Sequence, residues 1–470
     1  MIPLSAAVLA RIMHGRLDGL DGSTRLAGPV VADSRHSGPG ALFVCVVGER
    51  TDGHDHVPDA MARGAIAALA AHPVGAPAIL VDDPVQALGL LAADVLRRTP
   101  ARVVGVTGSS GKTSTKDLIA DLLATAGPLV AATGSMNTEV GLPLTALRVD
   151  ASTAHLVLEY GARGIGHIAY LCGIARPDVA AVLNVGSAHL GEFGSREIVA
   201  RSKGELVEAL PAGGTAVLVV DDPLVAPMAT RTSARVLSVG SGSGADIRIS
   251  DVRLDAMARP EFMLATPAGS VQLRLRLSGR HQAINSAVAA GVALSCGVGL
   301  DTVAETLERA VPRSAHRMHL ASRDDGLLVV DDAYNANPES MGSALESLIR
   351  LGSERQGRTW AVLGEMRELG PDTDELHVAL GRRAAEVGVA ELVVVGAAAA
   401  AIATGWEQVA PGRPSRVVDS PVEAGRVVAG EALADDTVLV KASNSLELWR
   451  VAEELLAADA GARTGAGSSQ

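Results

Sequence analysis

The residues best suited to chemistry lie in the segment TGSSGKTST, at positions 107–115. The candidate loop consists of Gly108, Ser109, Ser110, Gly111, Lys112, Thr113 and Ser114. Its small residues let successive backbone N–H groups converge on one anion, and the helix expected to follow adds its N-terminal dipole. Lys112 supplies a positive charge for β- and γ-phosphates, and the Thr113 hydroxyl suits Mg²⁺. The standard pattern has a further glycine where this chain has Val106, so a turn that caps a helix is the alternative.

Polar residues also follow two later apolar, strand-like segments. Glu159 lies near the end of HLVLEY, and His189 follows AAVLNVGSA. Open α/β sheets bind ligands beyond the carboxyl ends of their strands, and Mg²⁺ prefers carboxylates, so Glu159 suits a metal. A histidine such as His189, taken alone, is more often an ordinary loop histidine than a ligand. Lys203, in ARSKGEL, taken alone is a surface lysine of a helix.

Two further segments have polar residues at element boundaries. In GRHQAIN, His281 and Asn285 share one helix face, and Asn285 offers the paired donor and acceptor that an adenine edge needs. A helix cap with a solvated face is the alternative. DDAYNANPES, at positions 331–340, follows the strand-like LLVV and forms either a substrate contact or an Asx turn. The segments DSR and DGHD near the start are also compatible with ordinary turns.

The elements that must position these residues alternate between strands and helices. From residue 101 onward, apolar β-branched segments are separated by helical stretches: VVGVT, PLVAAT, HLVLEY, VAAVLNV and TAVLVV. Such alternation predicts an α/β fold with a parallel sheet covered on both faces. Residues 235–277 instead show alternating apolar positions, as in VQLRLRLSG, which predicts a small antiparallel sheet added to the parallel one.

Three domains fit this pattern and the length of 470 residues. We expect a small N-terminal α/β substrate domain over residues 1–100, a central nucleotide-binding domain over 101–314 and a Rossmann-like C-terminal domain over 315–460. The tail 461–470 is expected to be disordered. Within the first domain, AIAALAAHP and QALGLLAADVLRRTP both favour helices.

Composition excludes several classes of protein. The net charge of −12 argues against a nucleic-acid partner, and nine aromatic residues give no base-stacking platform. The cysteines, Cys45, Cys172 and Cys296, show no metal or disulfide spacing and suggest buried thiols. The start MIPLSAAVLARIMHGR predicts a short helix opened by Ser5 rather than a signal peptide, and no later segment predicts a membrane span. We therefore expect a cytoplasmic protein.

Taken in order, these segments resemble those of the Mur ligase family, the ATP-dependent amide-bond enzymes of peptidoglycan precursor synthesis. The resemblance covers nearly the whole chain: DSR, TGSSGKTSTKD, SMNTEVGLPLT, EYGAR, NVGSAHLGEFGS, RSKGEL, GRHQAIN, SAHRM, DDAYNANPESM and LGEMRELG. The family's phosphate loop, TG-x-x-GK-T/S, lacks the earlier glycine, which accounts for Val106. DDAYNANP and LGEMRELG resemble the branch that adds D-alanyl-D-alanine. One departure is KASNS, at positions 441–445, where relatives have a KGSRG-like segment.

The resemblance implies roles that local reading does not supply. It implies that Lys112 and the loop amides hold ATP phosphates, that Thr113 and Glu159 bind one Mg²⁺, and that His189 and a carbamylated Lys203 serve a second. Lys112, His189 and Lys203 would thus be catalytic. The remaining implied contacts are His281 and Asn285 with adenine, Arg317 with the γ-phosphate, Asp332 with the ribose, Ser34, Arg35, Asn137 and Thr138 with the UDP-muramoyl substrate, and Asn335 and Asn337 with the dipeptide.

By the same resemblance, the substrates would be UDP-MurNAc-tripeptide and D-Ala-D-Ala, and the enzyme a monomer. Two other functions stay open at this point. A folylpolyglutamate-type or other cell-wall ligase would use a different acceptor, and folate-type relatives lack the UDP-sugar domain that DSR and DGHD suggest. A non-catalytic nucleotide-binding regulator would have a degenerate site, which the joint presence of Glu159, His189 and Lys203 argues against.

Overall fold

The computed structural model of the protein describes residues 1–48, 51–187 and 190–457. The predicted α/β class is confirmed, with three large sheets that carry helices between their strands. The sheets fall within the three ranges expected for domains, while the domain boundaries themselves stay predictions. His189 and the tail 461–470 lie outside the described residues.

The N-terminal part contains a mixed sheet in the strand order β2-β7-β6-β5-β4 and a separate β1-β3 ribbon. Its elements are β1 (Leu4–Ser5), α1 (Ala6–Ile12), β2 (Arg16–Asp18), β3 (Arg25–Leu26), β4 (Val30–Val31), β5 (Ala41–Val44), α2 (Val57–Ala62), β6 (Ala65–Ala70), β7 (Ala78–Leu80) and α3 (Pro84–Arg97). The Ser5 hydroxyl caps α1, as predicted, by accepting from the Val8 N–H.

The helix expected in AIAALAAHP is wrong, because residues 65–70 form strand β6. This strand lies between β5 and β7, parallel to both, and five of its six residues are buried. A short apolar run without alternation suits a buried strand as well as a buried helix. The neighbouring strands, rather than the helix propensity of alanine, therefore decide its conformation.

The central part forms a nine-stranded sheet in the order β16-β15-β14-β13-β12-β11-β8-β10-β9. Its elements are β8 (Arg102–Thr107), α4 (Lys112–Leu123), β9 (Leu129–Ala131), α5 (Gly141–Ala146), β10 (His155–Glu159), α6 (His167–Ile174), β11 (Val179–Val182), α7 (Leu190–Phe193), α8 (Arg196–Glu208), β12 (Thr215–Val219), β13 (Arg235–Gly240), β14 (Ile247–Leu254), β15 (Pro260–Thr266), β16 (Gly269–Arg274), α9 (His281–Ser295) and α10 (Leu300–Arg309). Strands β8 to β13 are parallel, whereas β14 to β16 pair antiparallel, as the sequence predicts.

The C-terminal part forms a six-stranded sheet in the order β17-β18-β22-β19-β20-β21. Its elements are β17 (His319–Ser322), β18 (Leu328–Asp331), α11 (Pro338–Gly352), β19 (Thr359–Gly364), α12 (Thr373–Glu386), β20 (Glu391–Val395), α13 (Ala401–Val409), β21 (Ser415–Val418), α14 (Pro421–Glu431), β22 (Thr437–Lys441) and α15 (Trp449–Ala457). Only β17 runs antiparallel to its neighbour. Parallel strands end at one edge, so this edge gathers the loops that follow β18, β19 and β22.

Buried apolar side chains fill the space between each sheet and its helices. Cys45 and Cys172 are buried free thiols, as expected, and burial raises the pKa of each to about 12. Cys296 is also free but only partly buried, which differs from the expectation. Within the described ranges, we find no helix with the length and apolar content needed to cross a bilayer.

Candidate active site

The phosphate-loop candidate connects the central strand β8 to helix α4, as the sequence predicts. Gly111 has a φ of +79°, and a Cβ there would lie 2.9 Å from Asn285 Oδ1, so the position requires glycine. Lys112 Nζ donates to the Gly108 carbonyl at 2.7 Å. Burial lowers the pKa of Lys112, an effect that the nearby Glu159 charge opposes. The loop therefore combines a tight turn, a desolvated amine and the N-terminus of a helix.

Asn184 fixes the shape of this loop, and the sequence reasoning missed it. Its Oδ1 accepts hydrogen bonds from the backbone N–H groups of Ser109 and Ser110, at 3.0 and 2.9 Å. Its Nδ2 donates back to the Ser110 carbonyl at 3.2 Å. Asn184 follows strand β11, which is adjacent to β8. Asn184 could have been found from the sequence by its position at the carboxyl end of a predicted strand, where open α/β sheets bind ligands.

Glu159 lies at the carboxyl end of β10, beside the strand that leads into the loop. It is fully buried, and Asn137 Nδ2 donates to its Oε2 at 3.4 Å. Among the described residues, no group hydrogen-bonds to the other oxygen, Oε1. Burial raises the pKa of Glu159, and the Lys112 charge opposes that rise. A buried carboxylate oxygen without a partner fits a cation, because a ligated metal would offset its desolvation.

Lys203 projects from helix α8 and is buried, so the surface-lysine alternative is wrong. Burial lowers the pKa of its amine well below the usual range, and the Lys112 charge lowers it further. A neutral amine is the form that reacts with carbon dioxide.

Within residues 1–48, 51–187 and 190–457, no group of three or more His, Cys, Asp and Glu side chains could hold a metal. Metal ligands would therefore have to include hydroxyl, carbamate, phosphate or water oxygens.

A cavity of about 310 Å³ lies between the central and C-terminal parts. The predicted site residues that line it are Ser109, Ser110, Gly111, Lys112, Thr113, Ser114, Asn137, Thr138, Lys203, His281, Asn285, Arg317, Asp332, Asn335 and Asn337. Ser34, Arg35, Gly108 and Glu159 do not line it, although the last two lie in or beside the phosphate loop. Arg35 is exposed and pairs with Asp33, which holds the pKa of that carboxyl at about 2. The structure thus brings the predicted nucleotide and dipeptide residues together but leaves the two N-terminal candidates elsewhere.

Arg317 reaches the phosphate loop from the start of the C-terminal part. The backbone on either side of it is left-handed, with a φ of +58° at His316 and +49° at Met318. Non-glycine residues seldom adopt this conformation, which is often found at functional sites. The His316 ring is held by Asp331, whose Oδ2 lies 2.6 Å from Nδ1. This backbone geometry fixes where the Arg317 side chain leaves the chain.

Lys441, another residue that the sequence reasoning missed, holds the DDAYNANP turn in place. Its buried Nζ lies 2.6 Å from Asp332 Oδ2 and donates to the Asn335 carbonyl at 2.8 Å. Asn337 caps helix α11, because its Oδ1 accepts from the Ser340 N–H at 2.8 Å. Asn335 Oδ1 similarly accepts from the Ala336 N–H. The Asx-turn alternative is realised at Asp331, whose Oδ1 accepts from the Ala333 N–H at 3.2 Å. Both asparagines use their Oδ1 atoms within the segment, so their Nδ2 groups are what they offer to a ligand.

His281 and Asn285 begin helix α9 beside the loop. Asn285 Nδ2 donates to Gln282 Oε1 at 3.2 Å, and its Oδ1 faces Gly111. Burial lowers the pKa of His281, so the neutral ring is favoured, and its buried Nδ1 has no hydrogen-bond partner among the described residues. The structure places both residues at the nucleotide end of the cavity, while their contact with adenine stays a prediction.

Contacts across the cavity join the two parts that form it. Glu339 Oε1 accepts from the Ser187 N–H at 2.8 Å, and the Glu368 carbonyl accepts from the Gly191 N–H at 3.0 Å. The enclosed wall carries several cations close to a loop suited to phosphates. Such an arrangement can bind a nucleoside triphosphate and neutralise the charge that develops when a phosphoryl group is transferred.

Comparison with known proteins accounts for most of the chain. The model of the Mur ligase middle domain matches residues 106–293, that of the Mur ligase glutamate ligase domain matches 316–444, and that of the Mur ligase family catalytic domain matches 29–95. The UDP-N-acetylmuramoyl-tripeptide–D-alanyl-D-alanine ligase of Mycobacterium tuberculosis is 42% identical over 98% of this chain and 99% of its own.

Two solved structures share the fold at appreciable identity. One is the UDP-N-acetylmuramoylalanyl-D-glutamyl-2,6-diaminopimelate–D-alanyl-D-alanyl ligase from Acinetobacter baumannii. It superposes with a TM-score of 0.82 at 29% identity and covers 96% of this chain and 98% of its own. MurF ligase from Thermotoga maritima in complex with ADP superposes with a TM-score of 0.78 at 33% identity, covering 92% and 97%.

Proposed function

This chain belongs to the Mur ligase family, and we propose that it is the ATP-dependent ligase that joins D-alanyl-D-alanine to UDP-N-acetylmuramoyl-tripeptide in peptidoglycan precursor synthesis. The observation that carries this conclusion is the end-to-end match with ligases of that activity, which includes the N-terminal hundred residues. The cavity between the phosphate loop and the DDAYNANP turn is consistent with it, because the tripeptide carboxylate must meet the γ-phosphate of ATP and the dipeptide amine must then meet the acyl phosphate.

The reaction proceeds in two steps. The terminal carboxylate of the tripeptide attacks the γ-phosphorus of ATP, and ADP leaves, giving an acyl phosphate. The amine of D-Ala-D-Ala then attacks the acyl carbon, an amide forms, and inorganic phosphate leaves with the proton passing to solvent or a nearby base. Lys112 and the loop amides would hold the transferred phosphoryl group, and Arg317 would approach it from the other side of the cavity. Positioning and charge neutralisation thus supply most of the catalysis.

The described residues fit one of the two Mg²⁺ ions that the family implies, while His189, for the second, lies outside them. Glu159 has a buried oxygen without a described partner, and the Thr113 hydroxyl lies at the start of the same loop helix. We propose that these two hold one ion and that His189 and Lys203 hold the other. When bound, Mg²⁺ would neutralise phosphate and carboxylate charge. Asn137 keeps the Glu159 carboxylate in place through its Nδ2 group.

We propose that Lys203 is carbamylated, since its burial and lowered pKa favour the neutral amine, whose nitrogen attacks the carbon of carbon dioxide and then loses a proton. The test is ¹³C NMR of the protein in ¹³C-bicarbonate, with Lys203→Gln as the control. A carbamate resonance in the parent protein that the variant lacks is expected. The same resonance in both proteins would contradict the assignment.

The remaining contacts are proposals of the same kind. His281, Asn285 and Asp332 would bind the nucleoside of ATP, Asn335 and Asn337 the dipeptide, and Asn137 and Thr138 the muramoyl-peptide. Ser34 and Arg35 would bind the UDP end in the N-terminal domain, away from the cavity described here. We also propose a cytoplasmic monomer, for which size-exclusion chromatography with light scattering should give a single species near 47.8 kDa.

One assay tests the function directly. Purified protein is given ATP, Mg²⁺, D-Ala-D-Ala and the UDP-muramoyl-alanyl-D-glutamyl-2,6-diaminopimelyl peptide named for the Acinetobacter relative. Phosphate release should require every component, and mass spectrometry should find the peptide extended by two alanines. Phosphate release that continues without the dipeptide, or with L-glutamate in its place, would contradict the proposal.

A further inference from the structure

We propose that Arg163 binds a carboxylate of the peptidyl substrate other than the one that reacts. This inference rests on the proposed function and adds a specificity contact to it. Arg163 lines the cavity four positions after Glu159, and its side chain is exposed to solvent. Among the described residues, no group forms a hydrogen bond or ion pair with its guanidinium.

The other cations of the cavity wall already have positions or partners. Arg317 contacts Thr113, and Lys441 pairs with Asp332. Lys112 donates to the loop itself, and Lys203 is buried. Arg163 differs from these cations in being exposed to solvent, where its guanidinium is open to an incoming anion. Five N–H donors in a planar fork match the two oxygens of a carboxylate.

The backbone that carries Arg163 is fixed on its amino-terminal side. The Tyr160 N–H donates to the Val106 carbonyl at 2.9 Å, and the Gly161 N–H donates to the Asn137 carbonyl at 3.0 Å. A Cβ at Gly161 would lie 2.9 Å from the Asn137 side chain, so only glycine allows this close approach. Arg163 thus follows, by two positions, a glycine that contacts Asn137, which we place along the muramoyl-peptide.

The carboxyl-terminal side of the loop is fixed to the helix that carries Lys203. The Ser202 hydroxyl donates to the Gly164 carbonyl at 2.9 Å, and Glu205 Oε1 accepts from the Gly166 N–H at 2.6 Å. A cationic side chain on a pinned loop binds an anion at a lower entropic cost than one on a mobile loop. The anchoring therefore fixes the point at which the Arg163 side chain leaves the backbone.

His167 supports the same loop but does not compete for the anion. Its Nδ1 accepts from the Arg163 backbone N–H at 3.2 Å, which leaves the ring hydrogen on Nε2. Nε2 lies 3.2 Å from Glu139 Oε2 and donates to it. Both ring nitrogens are thus occupied, and the Arg163 guanidinium remains the group that recognises charge.

The position of Arg163 selects which carboxylates it can meet. The reacting carboxylate must lie at the γ-phosphate, beside the phosphate loop, whereas Arg163 lines the cavity from the separate loop that follows Glu159. In an alanyl-D-glutamyl-2,6-diaminopimelyl peptide, the D-glutamyl and diaminopimelyl residues each carry one further carboxylate. The two share the same recognition chemistry, so the experiment has to separate them.

The test measures kcat and KM of the full-length enzyme with three tripeptide substrates: the unmodified one, one with the D-glutamyl carboxylate converted to a carboxamide, and one with the free diaminopimelyl carboxylate converted to a carboxamide. The variants are Arg163→Gln and Arg163→Lys. The control is Arg201→Gln, which alters an exposed arginine of helix α8 outside the cavity lining.

For Arg163→Gln with the unmodified peptide, we expect KM to rise about 10- to 100-fold, as for loss of a charged hydrogen bond, with kcat and the KM values of ATP and dipeptide little changed. Arg163→Lys should recover part of the loss. For the parent enzyme, one of the two carboxamide substrates should have a KM higher than that of the unmodified peptide by a similar factor. For Arg163→Gln, the KM should be the same with and without that carboxamide, which identifies the carboxylate that Arg163 binds.

Two results would overturn the inference while the proposed function stands. The first is a KM of Arg163→Gln equal to that of the parent enzyme. The second is a KM raised by the same factor for all three peptides, because a structural defect or a contact with another group would affect the three peptides alike. A parent enzyme that fails to turn over the unmodified peptide refutes the proposed function instead, and the inference falls with it. A far-ultraviolet circular dichroism melt of each variant checks folding.

Discussion

Arg317 Nη2 donates a hydrogen bond of 3.0 Å to the Thr113 hydroxyl, across the junction between the central and C-terminal parts. The same nitrogen donates to Ser135 Oγ at 3.3 Å, and the guanidinium lies 4.2 Å from the centroid of the Tyr334 ring. A cation from one part therefore sits at the first turn of the loop helix of the other. The candidate site is complete only when both parts are together.

The first prediction concerns this cation. Arg317→Gln should lower kcat about 10²- to 10³-fold, because a preorganised charge at the transferred phosphoryl group is lost. ATP binding, measured by calorimetry, should change much less. Arg313→Gln is the matched control, because Arg313 is a half-exposed residue of the same segment that pairs with Asp121. Equal losses of kcat in the two variants would mean that the segment, and not the Arg317 charge, matters.

A second prediction concerns the loop shape. Asn184→Ala removes the acceptor for the Ser109 and Ser110 N–H groups and should raise the KM for ATP about 10-fold, as two hydrogen bonds are lost. Asn184→Asp keeps an acceptor but adds a negative charge near the phosphates, so its KM should be higher still. Asn444→Ala, in an exposed position of the divergent KASNS segment, should be neutral. An Asp variant that binds ATP better than the Ala variant would contradict this account.

The third prediction concerns stability. Lys441→Met leaves Asp332 without its ion-pair partner in a mostly buried position, which should cost about 3 kcal/mol in the free energy of unfolding. The urea midpoint of the C-terminal part should fall accordingly. Adding Asp332→Asn should restore part of that loss, because the uncompensated charge is gone. Arg450→Met, which removes an exposed partner of Glu447, should change the midpoint little.

The fourth prediction follows from the pKa of the buried thiols. The folded protein holds the protons of Cys45 and Cys172 up to about pH 12, whereas an unfolded chain releases them near 9.0. The native state thus binds more protons between these values, so the free energy of unfolding should fall as the pH rises from 9 to 12.

At pH 8, a disulfide reagent should label neither Cys45 nor Cys172 in the native protein, but all three cysteines in guanidinium chloride. Fast native labelling of Cys45 would show that the site opens.

Local sequence was sufficient for much of the fold. The loop from β8 into α4, the parallel strands of the central sheet and its antiparallel extension all follow from signals within some twenty residues. The wrong helix at residues 65–70 shows the limit, because alanine-rich AIAALA fits either conformation until its neighbours are known.

The sequence by itself thus determined the phosphate loop, the alternation of strands and helices, the strand ends at which Glu159 and Asp332 lie, and the helix start at His281. Only the tertiary structure decided the partners of these groups. Asn184 lies 75 positions from Ser109, and Arg317 lies 204 positions from Thr113. Periodicity and turn chemistry report only on neighbours along the chain, whereas these contacts arise when parallel strands end at one edge and a second sheet closes over it. The exposed guanidinium of Arg163 could likewise be identified only from the structure, once the contacts of the other cavity-lining cations were known.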